Sequence, residues 1–200
     1  MFGNFFKKKQ EQREPESSNY IVVQLNARVQ PMHRGEFFED PLDEELQGQS
    51  LGGVSGGGTM LSENREIDYC DIEMEVTDPS REVASKIIEI LERLGAPKGS
   101  KLKIEADGSE IPFGVAEGLA VYLNGTDLPD QVYKECDSNF VYSEFDRLLG
   151  DEGRVLSHWQ GPTETALYLY GRSFAAMKDK VAPFLASYPL CQNCRIVQIA

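Results

Sequence analysis

Two ten-residue segments, VVQLNARVQP at 22–31 and AVYLNGTDLP at 120–129, follow one plan. Each is an apolar strand ending in Leu-Asn, then four residues, then proline. Each is followed downstream by a strand, a helix and a strand, at 66–104 and again at 163–199. A chain that repeats its own order in this way is built from two similar halves, each needing helices to cover one face of a sheet. The expected fold class is α+β: two ferredoxin-like halves of ββαβ type, mostly antiparallel sheet with helices on one face. The expected division is a disordered tail at 1–19, an N-terminal half at 20–110 and a C-terminal half at 111–200. Pattern alone leaves open whether the halves share one sheet.

The clearest helix signal is DPSREVASKIIEILERLGAP at 78–97. Asp78 can cap, Pro79 suits the first turn, Val83, Ile87, Leu91 and Leu94 form an apolar stripe, and Gly95 and Pro97 end it. YIVVQLNARV (20–29), KLKIEA (101–106), GVAEGLAVYLNG (114–125) and RIVQIA (195–200) read as strands, the last expected inside a sheet. EIDYCDIEMEV (66–76) alternates, but its apolar phase changes at Tyr69–Cys70, which predicts a β-bulge or sharp bend there. VLSHWQGPTETALYLYG (155–171) predicts a hairpin turning at 160–162. Asp40 and Pro41 predict a short helix. The helical stretch at 130–150 is expected to break at 137–139, and the one at 173–188 to kink or divide at Pro183. The glycine-rich stretch 48–58 reads as a mobile loop.

Charge placement narrows the function. The net charge is −13, and residues 36–78 hold thirteen acids against Arg65 alone. A field of this sign repels nucleic acid and anionic membrane and attracts a basic protein partner. No apolar run approaches the roughly 18–20 residues that span a bilayer, so no membrane insertion is expected. The N-terminus places its aromatics before its lysines, the reverse of a secretory signal, and the expected location is cytoplasmic. Four cysteines, at 70, 136, 191 and 194, are too sparse for a disulfide scaffold and suit reduced thiols.

The motifs argue mostly by exclusion. Gly53 and Gly58 have the spacing of a phosphate loop, but Thr59 stands where its lysine belongs and a strand follows. CQNC at 191–194 follows a helix and precedes a strand, opposite to a redox-active dithiol, and lacks two further zinc ligands at matching spacing. His33 and His158 carry no hydrolase signature and read as surface residues. No catalytic residue, cofactor or metal site is expected. Asp71, Glu73 and Glu75 alternate along one strand and so share a face. With Trp159, an aromatic beside a hairpin tip, they are the candidate partner-binding residues.

The stretches GGGTML, EIDYCDIEMEV, APKGSKL, YLNGTDLP, WQGPTETALYLYG and PFLASYPLCQNCRIVQIA together resemble a family of small acidic bacterial proteins over roughly residues 20–200. The resemblance brings no catalytic residues with it. By class, a small acidic α+β protein is also similar to bacterial toxin-immunity proteins. The functional expectation is therefore an acidic protein-binding module, including an immunity-type inhibitor of a basic toxin. The alternatives are an enzyme or small-ligand or cation-binding protein with a carboxylate-lined pocket between the halves, and a housekeeping interaction protein.

Overall fold

The computed structural model describes residues 19–200. The tail expected at 1–19 lies, except for Asn19, outside the described residues. The first half runs β1 (Tyr20–Leu25), α1 (Pro31–Arg34), a π-helical turn (Gly35–Glu39), α2 (Asp40–Gly48), β2 (Gly52–Leu61), β3 (Ile67–Val76), α3 (Arg81–Arg93), β4 (Ser100–Ile104) and β5 (Ser109–Phe113). The second runs β6 (Glu117–Asn124), α4 (Asp130–Glu135), α5 (Ser138–Leu149), β7 (Gly153–Gln160), β8 (Glu164–Gly171), α6 (Phe174–Ser187) and β9 (Arg195–Gln198). The sheets are separate and antiparallel, ordered β2-β3-β1-β4-β5 and β7-β8-β6-β9. Leaving β5 aside, each half is a βαββαβ unit with the same strand order, which is the ferredoxin-like arrangement. The fold expected from the sequence is present, with a helical segment between the first two strands of each half.

The duplication runs deeper than the two ten-residue segments. The second strand of each unit is an edge strand, and each edge is shielded in the same way. Asp43 on α2 accepts the Val54 N–H at 2.8 Å, and Asp146 on α5 accepts the Val155 N–H at 3.2 Å. Each edge strand then bulges at once, between Val54 and Gly56 and between Val155 and Ser157. The last helices open alike, Ser80 and Ser173 each accepting a backbone N–H from the third residue onward. A capped, bulged edge resists pairing with a stray strand.

Burial follows the alternation. On β1, Ile21, Val23 and Leu25 are buried, as are Cys70, Ile72 and Met74 on β3, packed with Val83, Ile87 and Leu91 of α3. Each such aliphatic side chain contributes about 1.5–3 kcal/mol by leaving water. The second half builds its own cluster from Leu119, Val121, Leu167 and Leu169 against Val141, Phe145, Met177 and Val181.

Several local expectations change. The glycine run is strand β2, not a loop. At Gly57 a Cβ would lie 2.5 Å from Glu39 Oε1 and 2.7 Å from the Asp71 carbonyl oxygen, so only glycine lets the strand pass this close. Helix begins at Pro31 rather than Asp40, because the π-helical turn joins α1 to α2. That turn stacks residues five apart, and Arg34 Nε meets Glu39 Oε1 at 2.7 Å. Ser80, not Asp78, caps α3. The bulge predicted near Tyr69–Cys70 is present: Met60 pairs with Tyr69 and Leu61 with Ile67, skipping Asp68. The break before Ser138 and the hairpin turn after Gln160 are where the sequence places them. Pro183 lies inside α6 without dividing it. β9 is paired inside the second sheet, as expected, where it lies beside β6 at the edge.

The 110/111 division falls inside β5, whose residues through Phe113 pair with β4. The junction is Gly114–Ala116, and it is fastened. Val115 and Ala116 both donate to the Ala96 carbonyl, at 2.9 and 3.1 Å, and Lys98 donates to Ala116 at 2.8 Å.

Candidate functional site

The alternating face of the first sheet that points away from α2 and α3 is open. Register sets Val22 between Glu73 and Lys103, and Gln24 between Asp71 and Lys101. Beyond the β3 carboxylates lie Gly56 and Gly58, opposite Glu73 and Asp71. Asp71, Glu73 and Glu75 therefore share one face, as expected, with Glu73 and Glu75 exposed and Asp71 half-buried. The lysines on β4 pair elsewhere, Lys101 with Glu110 and Lys103 with Glu105.

Six other acids of 36–78, from Glu36 to Glu45, lie in the helical segment and Glu66 lies between the halves, so the single −12 patch suggested by the sequence does not form. Asp40, Asp43, Glu44 and Glu45 belong to α2, in the helical layer. Glu39, Glu45 and Glu66 are paired with Arg34, Arg93 and Arg28. What remains is a column of three carboxylates on an uncovered sheet.

The corresponding face of the second sheet is covered by the first half. Ala120, Tyr122, Ala166, Tyr168, Tyr170 and Leu156 belong to the same buried cluster as the first half's core. At its centre is Glu66, buried just before β3. Its Oε1 accepts from the hydroxyls of Tyr122 at 2.5 Å and Tyr168 at 2.7 Å, and pairs with Arg28 Nη1. The Arg28 backbone N–H donates to the Tyr170 hydroxyl at 2.8 Å. Burial opposes the Glu66 charge, but the two hydroxyls and Arg28 outweigh it and hold the carboxyl below its ordinary value. Burial first, and then Glu66, push the Tyr122 hydroxyl up to about 12, and they raise Tyr168 as well.

Trp159 packs, half-buried, at the rim of this interface. Its indole packs against the shared core and its Nε1 donates to the Arg65 carbonyl at 3.1 Å. Its N–H is thus taken up within the chain, while the half-buried ring keeps part of its surface exposed.

The two histidines also meet here, His158 exposed as expected and His33 half-buried. His33 Nδ1 lies 2.9 Å from Ser157 Oγ, and that oxygen accepts the Gln30 N–H at 3.1 Å. The His33 and His158 rings stand 6.0 Å apart. Ser157 is fully buried, so its hydroxyl is a structural partner of the His33 ring rather than a nucleophile. Burial, then His158, lower the His33 pKa from 6.5, with Glu36 opposing. An unfolded His33 therefore binds its proton first as pH falls. The neutral ring's contribution is complete above pH 6.5 and is lost below it, toward the folded pKa. Denaturation from about pH 7.5 to about 5.5 is expected to show a steeper loss for the native chain than for His33→Asn. Parallel curves would contradict the neutral His33–Ser157 contact.

The cysteines are free thiols. Cys191 is buried, and burial, then the nearby Cys194 and Cys136, push its thiol up to about 12. A thiol so protonated is a poor nucleophile and ligand. Among the described residues no group of three or more His, Cys, Asp or Glu side chains is arranged to hold a metal ion. No helix of the described residues is long and apolar enough to cross a membrane.

The interface residues Arg28, Glu66, Tyr122, Tyr168 and Tyr170 were not singled out from the sequence. A signal was present: LYLYG sets two hydroxyls on alternate positions of an otherwise apolar strand, and buried tyrosines need polar partners.

The chain matches no known family profile and no curated protein. Among solved structures, the first two RRM domains of the yeast poly(U)-binding protein align at 11% identity, over 90% of this chain and 99% of that one, with a TM-score of 0.25. A candidate monooxygenase from Lactobacillus acidophilus aligns at 8% identity, over 90% and 93%, with a TM-score of 0.32. A second candidate monooxygenase, from Fusobacterium nucleatum, aligns at 9% identity, over 90% and 89%, with a TM-score of 0.30. Superpositions this loose carry no argument about chemistry.

Proposed function

We propose that the protein is an acidic protein-binding module that receives a basic partner on the open face of its first sheet. The observation that carries this is the correspondence between the halves. Aligning Val22 with Ala120 and Gln24 with Tyr122 places Asp71, Glu73 and Glu75 where the second half has Ala166, Tyr168 and Tyr170. In the second half that column is packed against protein, including the backbone and guanidinium of Arg28. In the first half the equivalent column is bare and carries three carboxylates. Lysine or arginine side chains are the complement of such a column, and charge of this kind chiefly sets encounter rate and specificity.

Within this reading, a basic toxin is the partner class suggested by the similarity to immunity proteins. A toxin-like gene next to this one supports that form, and its absence favours a housekeeping partner. The cation-binding alternative loses its focus, because the cleft between the halves includes neither Asp71 nor Glu73. Against a partner isolated from the native host, the variant Asp71→Asn/Glu73→Gln/Glu75→Gln is expected to associate roughly tenfold more slowly at low salt, with a flatter salt dependence. An unchanged on-rate removes this face from the account.

A further inference from the structure

A second surface is independent of the β3 column. A cleft of ≈ 660 Å³ opens between the halves, within the range of small-molecule sites. The end of α3, with Glu92 and Leu94, lines it from the first half. The start of β7 and the end of β8, with Arg154 and Arg172, line it from the second. Arg154 lies in register with Tyr170, and Arg172 follows Tyr170 by two residues, one past the end of β8. The arginines thus stand at the diagonal spacing of an antiparallel pair, roughly 7–8 Å between backbones.

Arg154 and Arg172 bring two unspent cations to this one cleft. Arg28, Arg34, Arg93 and Arg195 are each paired with a glutamate. Arg154 and Arg172 form no ion pair with any carboxylate among the described residues, although Asp151 and Glu152 line the same cleft. The Arg154 guanidinium instead lies over the Phe37 ring, 4.6 Å from its centroid. A ring face fixes the plane of a guanidinium while leaving its N–H edge unspent. Arg154 offers one such fork, and Arg172 brings a second guanidinium to the same cleft, a pairing that suits a carboxylate or phosphate.

We infer that the interdomain cleft binds a small oxyanion-bearing molecule, its carboxylate or phosphate held between Arg154 and Arg172. The test follows the arginine Nε–Hε resonances of the full chain during titration with inorganic phosphate and, separately, with succinate. The expected result is a saturable shift at Arg154 and Arg172 with at least one probe. Affinity is expected to fall at least tenfold in Arg154→Gln and in Arg172→Gln, and to hold in Arg147→Gln, whose partner is Glu144 on α5. The probe that shifts them decides between carboxylate and phosphate. Arg172→Lys keeps the charge but loses the fork, and it is expected to bind weakly too, so the test survives if a glutamine variant misfolds. No saturable shift with either probe, or equal weakening by Arg147→Gln, overturns the site and leaves the docking face on β3 standing.

Discussion

Glu66→Ala is expected to destabilise the protein by about 3–5 kcal/mol, because removing one partner of a buried pair strands the other. Arg28 would remain half-buried without its counter-charge, and the hydroxyls of Tyr122 and Tyr168 would lose the acceptor they share. Urea denaturation checks this, and a cost below about 1 kcal/mol would show that packing alone joins the halves. The same carboxylate gives a pH signature. Its folded pKa is depressed, so its contribution is complete above the ordinary carboxylate value and fades as pH falls through the folded one. The native chain should therefore lose stability in acid faster than Glu66→Gln does.

Gly114→Ala is expected to cost about 3 kcal/mol or more, combining backbone strain with overlap. Gly114 has φ +112°, and a Cβ there would sit 1.9 Å from the Pro97 carbonyl oxygen and 2.5 Å from its carbon. Neither atom can swing aside, because both belong to the loop that holds the junction. Gly95 is the internal control, with φ +90° and nothing within 4 Å of an added Cβ. Gly95→Ala therefore meets the strain without the overlap, and should cost about 1 kcal/mol. Equal losses in the two variants would mean that the junction yields.

The fold was legible wherever one residue's own chemistry decides local structure. The stripe Val83–Ile87–Leu91 gives a helix whatever it packs on. The phase change before Cys70 gives a bulge because a one-residue slip exchanges the faces of a strand. Asp137 gives a helix start because its side chain takes the Asn139 N–H, at 2.8 Å. Elements set by distant partners were not legible. GGVSGGGTML has poor strand propensity and becomes β2 because β3 pairs along it while Arg34 and Asp43 hold its outer edge, with Arg34 Nη1 donating to the Gly58 carbonyl at 2.7 Å.

The candidate site divides in the same way. The shared face of Asp71, Glu73 and Glu75 follows from strand period alone. The loss of the larger acidic patch does not, since it depends on which arginines fold back onto Glu39, Glu45 and Glu66. For Trp159, nothing nearby in sequence shows that its Nε1–H reaches the Arg65 carbonyl. His33 and His158, separated by most of the chain, meet only when the second sheet lies over the first half.

Carbodiimide labelling of carboxylates, read by mass spectrometry with and without the bound partner, tests the central claim most directly. The account predicts that Asp71, Glu73 and Glu75 become shielded in the complex, while exposed Asp40 and Glu44 on α2 label as before. Unchanged labelling of the β3 acids, with protection on the helical layer instead, would contradict it.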